Sequence, residues 1–185
     1  QKNPYVAVVG SRKATKRGLT VARKVANYLA EKGIVVVSGL ALGCDTEGHV
    51  GAIEKSGTTV AVLAHGLDQI RPSENTRLAE EIISSGGSLI TEYEINKEVL
   101  NYQYAERDRL QAGLSDLIFV VDTGLEGGTQ HTIKYANKQG KKVVCRKPRN
   151  SEKDYQEIQG NLQLIESGYK GIDSTDDLQQ LIDSL

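Results

Sequence analysis

The chain is poor in aromatic residues and has almost no net charge. It contains no tryptophan and one phenylalanine, so a site that stacks nucleobases would have few aromatic platforms beyond its tyrosines. Acidic and basic residues nearly cancel, 24 against 23, which leaves a formal charge of -1. Attraction of nucleic acid by bulk charge is therefore excluded, and any such binding must come from local clusters of lysine and arginine.

Cysteine is also scarce, and long apolar runs are absent. Cys44 and Cys145 lie in different segments without a CxxC pair or a nearby histidine cluster, so no metal site is predicted. Two separate thiols suit a reducing cytosol, and the cytoplasm is the expected location. The sequence shows no signal-peptide pattern and no apolar stretch long enough to cross a bilayer, so no membrane partner is expected.

Short β-branched runs alternate with amphipathic segments along the chain. Near-continuous valine and isoleucine runs are typical of strands that are buried on both faces. The alternation predicts an α/β fold, a Rossmann-like parallel-sheet sandwich with helices on both faces. The expected strands are 5–9, 34–38, 59–63, 88–91, 117–121 and 142–145, and the expected helices are 19–30, 45–57, 73–83, 107–114 and 129–138.

The length of 185 residues fits one domain spanning residues 1–185. Such a chain buries a substantial core without disulfide or metal staples. Residues 1–148 carry the alternating strands and helices. The segment 149–185 is more polar, and its spaced leucines and isoleucines predict short helices packed on the sheet edge of the same domain.

Loops rich in glycine, serine and threonine follow four of the expected strands. Ligands of open parallel sheets bind beyond the carboxyl ends of the strands, so these loops are expected to form one site. Glycines and helix N-termini there favour phosphate, whereas each glycine taken alone is also compatible with a simple turn. Neither GxGxxG nor GxxxxGK[ST] occurs, which disfavours dinucleotide and P-loop NTPase functions. The candidate residues are Gly10, Ser11, Arg12, Lys13, Ser38, Gly39, Gly43, Asp45, Gly66, Gly127, Gly128 and Thr129.

Two basic clusters could meet an anion. The densest lies within residues 12–17, where cations oppose the dipole of the expected helix; an anionic ligand or a solvated helix start would both explain it. Arg107 and Arg109 are suited to bidentate phosphate contact, or to an exposed helix turn with an internal ion pair to Asp108. Asp45 is interpreted first as a helix N-cap.

Several of these motifs, taken in order, resemble the DprA/Smf family. The resemblance runs along nearly the whole chain, and its specificity comes from the ordered set rather than from any one piece. The matching stretches are residues 8–12 against the family's GSR loop, 38–49 against SGLAxGID…AH, 66–75 against GLD…YPxxN, 107–115 against RNRIIAGLS, and 160–168 against GxNxLIxxGA.

The resemblance implies a function as well as a Rossmann-like fold. It implies single-stranded DNA held in a positive pocket, homodimers, and loading of a RecA-type recombinase in DNA recombination and natural transformation. It implies binding without catalysis, so no catalytic residue and no cofactor is expected. On this resemblance Arg12 would contact phosphate, Arg107 and Arg109 would line the same pocket, and Asn75 would join the binding residues.

The chain departs from the family pattern at four places. Leu42 stands where the family often has a basic residue, and Arg71 stands where it has tyrosine. Asp108 occupies the middle of the RNR motif, and residues 126–132 replace the family's SGSLITA segment. The expected pocket therefore carries less positive charge than the family pattern.

Two further functions belong to the same broad superfamily. Residues 127–129 also resemble the GGxGT phosphate loop of LOG-type phosphoribohydrolases, which split the N-glycosidic bond of a nucleotide. Glu92, Asp122 or Glu126 would supply the carboxylate near the ribose, although residues 130–131 are Gln-His where that pattern has a glutamate. The second alternative is a non-catalytic sensor of a small nucleotide, which the reduced positive charge of the expected pocket favours.

Overall fold

The computed structural model describes residues 3–185, which form seven strands and seven α-helices. The strands are β1 Tyr5–Val9, β2 Val35–Ser38, β3 Thr59–Val62, β4 Ser88–Ile90, β5 Leu117–Val120, β6 Lys142–Arg146 and β7 Lys170–Ile172. The helices are α1 Lys16–Glu31, α2 Cys44–Glu54, α3 Thr76–Ser84, α4 Asn101–Leu114, α5 Gly128–Lys138, α6 Gln159–Glu166 and α7 Thr175–Ile182. Short 3-10 turns span Ser73–Asn75, Asn150–Glu152 and Gln156–Ile158.

All seven strands belong to one parallel sheet with the order β4-β3-β2-β1-β5-β6-β7. The chain first builds outward from β1 to β4 and then returns to place β5 on the other side of β1. Val9 is paired with Val120, so β1 and β5 end side by side. This reversal of strand order is the position at which open parallel sheets form a crevice beyond their carboxyl ends.

Side chains that alternate along the strands build a core on each face of the sheet. Val6 and Val8 of β1 pack with α1 and α7, whereas Ala7 and Val9 pack with α4, α5 and α6. Burial on both faces explains the continuous apolar runs of the central strands. The expected Rossmann-like α/β fold is thereby confirmed.

The structure differs from the sequence-based expectation at two elements. Residues 149–185 were expected to form helices alone, but Lys170–Ile172 forms β7 and extends the sheet beyond β6. Only Ile172 of that strand is buried, so no apolar run marks it. Helix α4 begins at Asn101 rather than near Arg107, and Leu100 rather than a serine, threonine or aspartate precedes it, so the usual start signal is missing. No helix within residues 3–185 has the length and apolarity needed to cross a membrane.

Candidate functional site

A cleft of about 690 Å³ opens at the carboxyl edge of the sheet, where β1 and β5 end. Its walls are the loop after β1, the loop that leads into α5, and the N-terminal half of α4. We call it the loop cleft. Nine of the residues singled out from the sequence line it: Gly10, Ser11, Arg12, Lys13, Asp45, Arg107, Gly127, Gly128 and Thr129.

The loop after β1 presents two exposed cations to the loop cleft. Arg12 and Lys13 are both solvent-exposed, and the Arg12 guanidinium lies 5.4 Å from the ring centroid of Tyr104 on α4. The backbone N–H of Lys13 donates to Ser11 Oγ at 3.0 Å, which tightens the turn. The backbone N–H of Ser11 donates to the carbonyl of Asp122 at 2.7 Å and ties the turn to the end of β5.

Asp122 also fixes the start of α1. Its Oδ2 accepts from the backbone N–H of Thr15 at 3.0 Å and from the Thr15 hydroxyl at 2.8 Å. Thr15 in turn is the N-cap of α1, and its Oγ1 accepts from the N–H of Gly18 at 2.9 Å. A Cβ at Gly18 would clash with the carboxylate of Asp122, so glycine is required there for this close approach.

A buried ion cluster lies behind Asp122. Arg146, at the end of β6, donates through Nε to Asp122 Oδ1 at 2.8 Å and through Nη1 to Glu152 at 2.9 Å. Glu152 comes from the segment that follows β6 and also accepts from the backbone N–H of Arg149 at 2.8 Å. Burial opposes ionisation of Glu152, but these hydrogen bonds outweigh it and hold its pKa below the ordinary value. The C-terminal segment thus braces the loop that carries Arg12.

The N-terminus of α5 forms the opposite wall of the loop cleft. Gly127 has φ of +119°, a conformation that favours glycine, and within residues 3–185 no side chain caps the helix. The first N–H groups of a helix have no intrahelical partner and carry partial positive charge. With Gly127 and Gly128 both lacking side chains, these N–H groups are accessible to an anion across from Arg12.

The loop after β2 is held by polar residues that point inward. Asp45 Oδ2 accepts from the N–H groups of Gly39 and Ala41 at 3.1 and 3.3 Å. Asp45 is therefore not the N-cap of α2, as interpreted from the sequence; Gly43 takes that position and Asp45 lies in the first turn. Burial raises the pKa of Asp45, and Arg107 opposes that rise.

Arg107 is a buried brace at the floor of the loop cleft. It is 5% exposed, and its Nη1 donates to the carbonyls of Gly39 and Val62 at 2.7 and 2.5 Å. Its Nε lies 3.2 Å from Asp108 Oδ1 but has no well-aligned hydrogen bond within the described chain. Burial raises the pKa of Asp108 to about 7, against the opposing charge of Arg107. The floor therefore gains negative charge only as the pH reaches neutrality.

Six predicted site residues lie outside the loop cleft. Arg109 is exposed and pairs with Glu92, so of the two arginines expected in one pocket only Arg107 lines it. Ser38 donates to the carbonyl of Val8, and Asn75 donates to the carbonyl of Leu40, so both serve the fold. The remaining three, Gly39, Gly43 and Gly66, permit close backbone approaches, to Arg107, to Ser11 and to Glu94 respectively.

Sequence reasoning did not single out Tyr104 as a site residue, although it faces Arg12 in the loop cleft. Its signal was its place three residues before Arg107, which puts both on one helix face. His131 also lines the cleft, from the first turns of α5. Within residues 3–185, no group of three or more histidine, cysteine, aspartate or glutamate side chains is arranged to hold a metal ion.

Comparison with known proteins places this geometry in a family. A family model described as DNA recombination-mediator protein A matches residues 1–183. The chain belongs to this family. Among its relatives, the Smf protein of Synechocystis is 35% identical over 175 residues, which cover 95% of this chain and 43% of that protein. The recognition of a DprA/Smf resemblance from the sequence is confirmed.

Solved structures of the DprA family share the fold. The DprA structure from Streptococcus pneumoniae superposes with a TM-score of 0.85 at 31% identity, covering 96% of this chain and 61% of that one. The DprA structure from Helicobacter pylori also superposes with a TM-score of 0.85, at 28% identity, covering 98% of this chain and 79% of that one. The chain therefore spans less than two thirds of the Synechocystis and Streptococcus relatives.

Proposed function

We propose that this DprA-family chain binds single-stranded DNA, with the sugar-phosphate backbone in the loop cleft. One observation carries the proposal: exposed Arg12 and Lys13 face the uncapped N-terminus of α5 across a single cleft. Two independent sources of positive potential then converge on one anion, and neither requires bulk basic charge. The net charge of -1 is consistent with a site of this local kind.

Tyr104 supplies the second element of a single-strand site. Its ring lies beside Arg12 and is half-buried on helix α4. Proteins that bind single strands combine a basic groove with aromatic faces on which bases stack. We assign phosphate contact to Arg12, Lys13 and the N–H groups of residues 128–129, and base contact to Tyr104.

The relatives support the nucleic-acid ligand and extend the proposal. The Helicobacter pylori structure is described as one that gives insight into a single-stranded DNA binding mode. The family description, a recombination mediator, supports delivery of the bound strand to a RecA-type recombinase. We include in the proposal a cytoplasmic homodimer that binds without catalysis, and a single domain over residues 1–185.

A small nucleotide is the second candidate ligand, because the loop cleft has the size of a site for one. Its volume of about 690 Å³ lies within the ~300–1,000 Å³ typical of small-ligand sites. A sensor would saturate with one mononucleotide and gain nothing from a longer chain. An N-glycosidase would release base from it, with Glu126 as the cleft carboxylate of the phosphate loop. Ligand length and base release therefore separate the three functions.

The test is binding of a fluorescent oligo(dT) at two salt concentrations. We expect Arg12→Ala to weaken binding at least tenfold and to reduce the salt slope by about 0.7, the contribution of one phosphate contact on a single strand. Arg77→Ala is the matched control, because Arg77 is exposed on α3 and, among residues 3–185, pairs only with Glu81. Unchanged affinity in Arg12→Ala, with Arg77→Ala also unchanged, would refute the proposed site.

A further inference from the structure

A second cleft adjoins the loop cleft on the other side of the Arg12–Tyr104 pair. It has a volume of about 540 Å³ and lies between the loop after β2 and the segment 69–74 that precedes α3. We call it the side cleft. Arg12, Tyr104 and Arg107 line both clefts, so the two are neighbours across a shared wall.

The side cleft combines an apolar wall with an exposed cation, Arg71, that it does not share with the loop cleft. Leu42 is 40% exposed, and with Ile70 and Pro72 it forms the apolar lining. Arg71 is exposed, and its Nε donates to Gln69 Oε1 at 3.1 Å; its other guanidinium nitrogens make no hydrogen bond to residues 3–185. The backbone N–H of Arg71 is fixed by His65 Nε2 at 3.2 Å. An oriented guanidinium with free N–H groups is suited to a phosphate.

The two residues that define this chemistry are also departures from the family pattern. Leu42 stands where that pattern often has a basic residue, and Arg71 stands where it has tyrosine. Both line the side cleft, from opposite walls. The positive charge of the side cleft is thus kept but moved from the loop after β2 to the loop before α3. Glu74 is the one carboxylate among the lining residues, and it is exposed to solvent, where its repulsion is screened.

We propose that the side cleft is a second nucleotide subsite, whose base lies on the apolar wall and whose phosphate is bound by Arg71. The strand then crosses the Arg12–Tyr104 pair, with one nucleotide in the loop cleft and its neighbour in the side cleft. A strand that follows this path has consecutive phosphates on Arg12 and Arg71. This inference rests on the proposed function, and it adds the path of the strand and the part played by Arg71.

The test compares ligands of one, two and six nucleotides. We titrate pdT by NMR, and pdTpdT and (dT)6 by calorimetry, into wild type, Arg12→Ala and Arg71→Ala. Because one charge-assisted contact is lost, Arg71→Ala is expected to weaken the binding of pdTpdT and (dT)6 about tenfold. The affinity for pdT is expected to stay unchanged. Arg12→Ala is expected to weaken the binding of all three ligands. Arg71→Lys, which keeps the charge, is expected to recover part of the loss.

A double variant tests the relocated charge directly. Leu42→Lys added to Arg71→Ala is expected to regain affinity for pdTpdT, because it restores a cation on the opposite wall. Both positions are exposed, and thermal unfolding checks that the variants remain folded. If Arg71→Ala binds both oligomers as wild type does while Arg12→Ala is weakened, the subsite is refuted and the proposed function stands. Equal weakening of pdT also refutes the subsite, and absence of oligonucleotide binding by wild type refutes both.

Discussion

Replacing Arg146 by alanine removes the centre of the ion cluster behind the loop cleft. Its side chain is 2% exposed, and its two carboxylate partners, Asp122 and Glu152, are 0% and 7% exposed. Without the guanidinium, buried Asp122 keeps no charged partner among residues 3–185, and Glu152 keeps only the partly exposed Arg17 at 3.5 Å. Removing one partner of a buried ion pair costs about 3–5 kcal/mol of unfolding free energy, and Arg146 serves two partners. We therefore expect a loss at or above about 4 kcal/mol.

The same change reaches the binding site through Asp122. The Oδ1 atom of Asp122 accepts from Arg146, while its Oδ2 holds Thr15 and its backbone carbonyl holds Ser11. When Arg146 is lost, Asp122 must either take up a proton or turn toward water, and both movements release the loop that carries Arg12. Oligo(dT) affinity is expected to fall in the variant under conditions in which it is still folded.

Urea unfolding followed by far-UV circular dichroism measures the stability, since the chain has no tryptophan to report by fluorescence. Arg77→Ala, at an exposed i,i+4 pair, is the control and is expected to change stability by no more than about 0.5 kcal/mol. A second variant separates charge from packing: Arg146→Met with Asp122→Asn and Glu152→Gln removes all three charges and is expected to recover most of the loss. A loss of less than about 1 kcal/mol in Arg146→Ala would show that the cluster does not brace the sheet edge.

Two further predictions concern the floor of the loop cleft. The pKa of Asp108, about 7, lies above its ordinary 3.8, so its protonated carboxyl favours the folded state below pH 4, and that contribution is lost as the pH rises from 4 to 7. The stability of Asp108→Asn relative to wild type should therefore rise between pH 4 and pH 8, by at most about 4 kcal/mol; parallel urea curves across that range test it. Gly39→Ala places a Cβ in a clash with Arg107 Nη1, which is buried and cannot move away without losing two hydrogen bonds. We expect the free energy of unfolding to fall by about 2–4 kcal/mol in the same assay. An unchanged free energy of unfolding would contradict the bracing role of Arg107.

The strands could be predicted from the sequence wherever burial on both faces of the sheet requires a continuous apolar run. β2, β3 and β5 are buried throughout, and β1 is buried from Val6 onward; each was expected within one residue of its observed bounds. β7 lies at the edge of the sheet, where one neighbour and one buried side chain suffice. Such a short strand forms because it can pair with the free edge of β6, and no local sequence pattern predicts that pairing.

The loops of the site could also be predicted from the sequence, because the carboxyl ends of parallel strands lie at one edge of the sheet. Nothing in that argument distinguishes a side chain that faces the cleft from one that ties loops together. Ser38, Asp45 and Asn75 are polar and lie at the right edge. Yet Ser38 donates to the carbonyl of Val8 in β1, Asp45 accepts from N–H groups of the loop after β2, and Asn75 donates to the carbonyl of Leu40 and to the Thr46 hydroxyl. Their orientation follows from burial, which depends on how α2, α3 and α4 pack.

Helix geometry decides between the two arginines that the sequence placed together. Residues two apart on a helix differ by about 160° in direction, and Arg109 accordingly points toward Glu92 while Arg107 lines the cleft. Residues three apart differ by about 60° in direction, so Tyr104 shares the face of Arg107. That deduction needed α4 to extend back to Tyr104, whereas the polar sequence before Arg107 predicted no helix there. The error in the start of one helix thus hid the aromatic residue of the site, and the correct start supplies Tyr104.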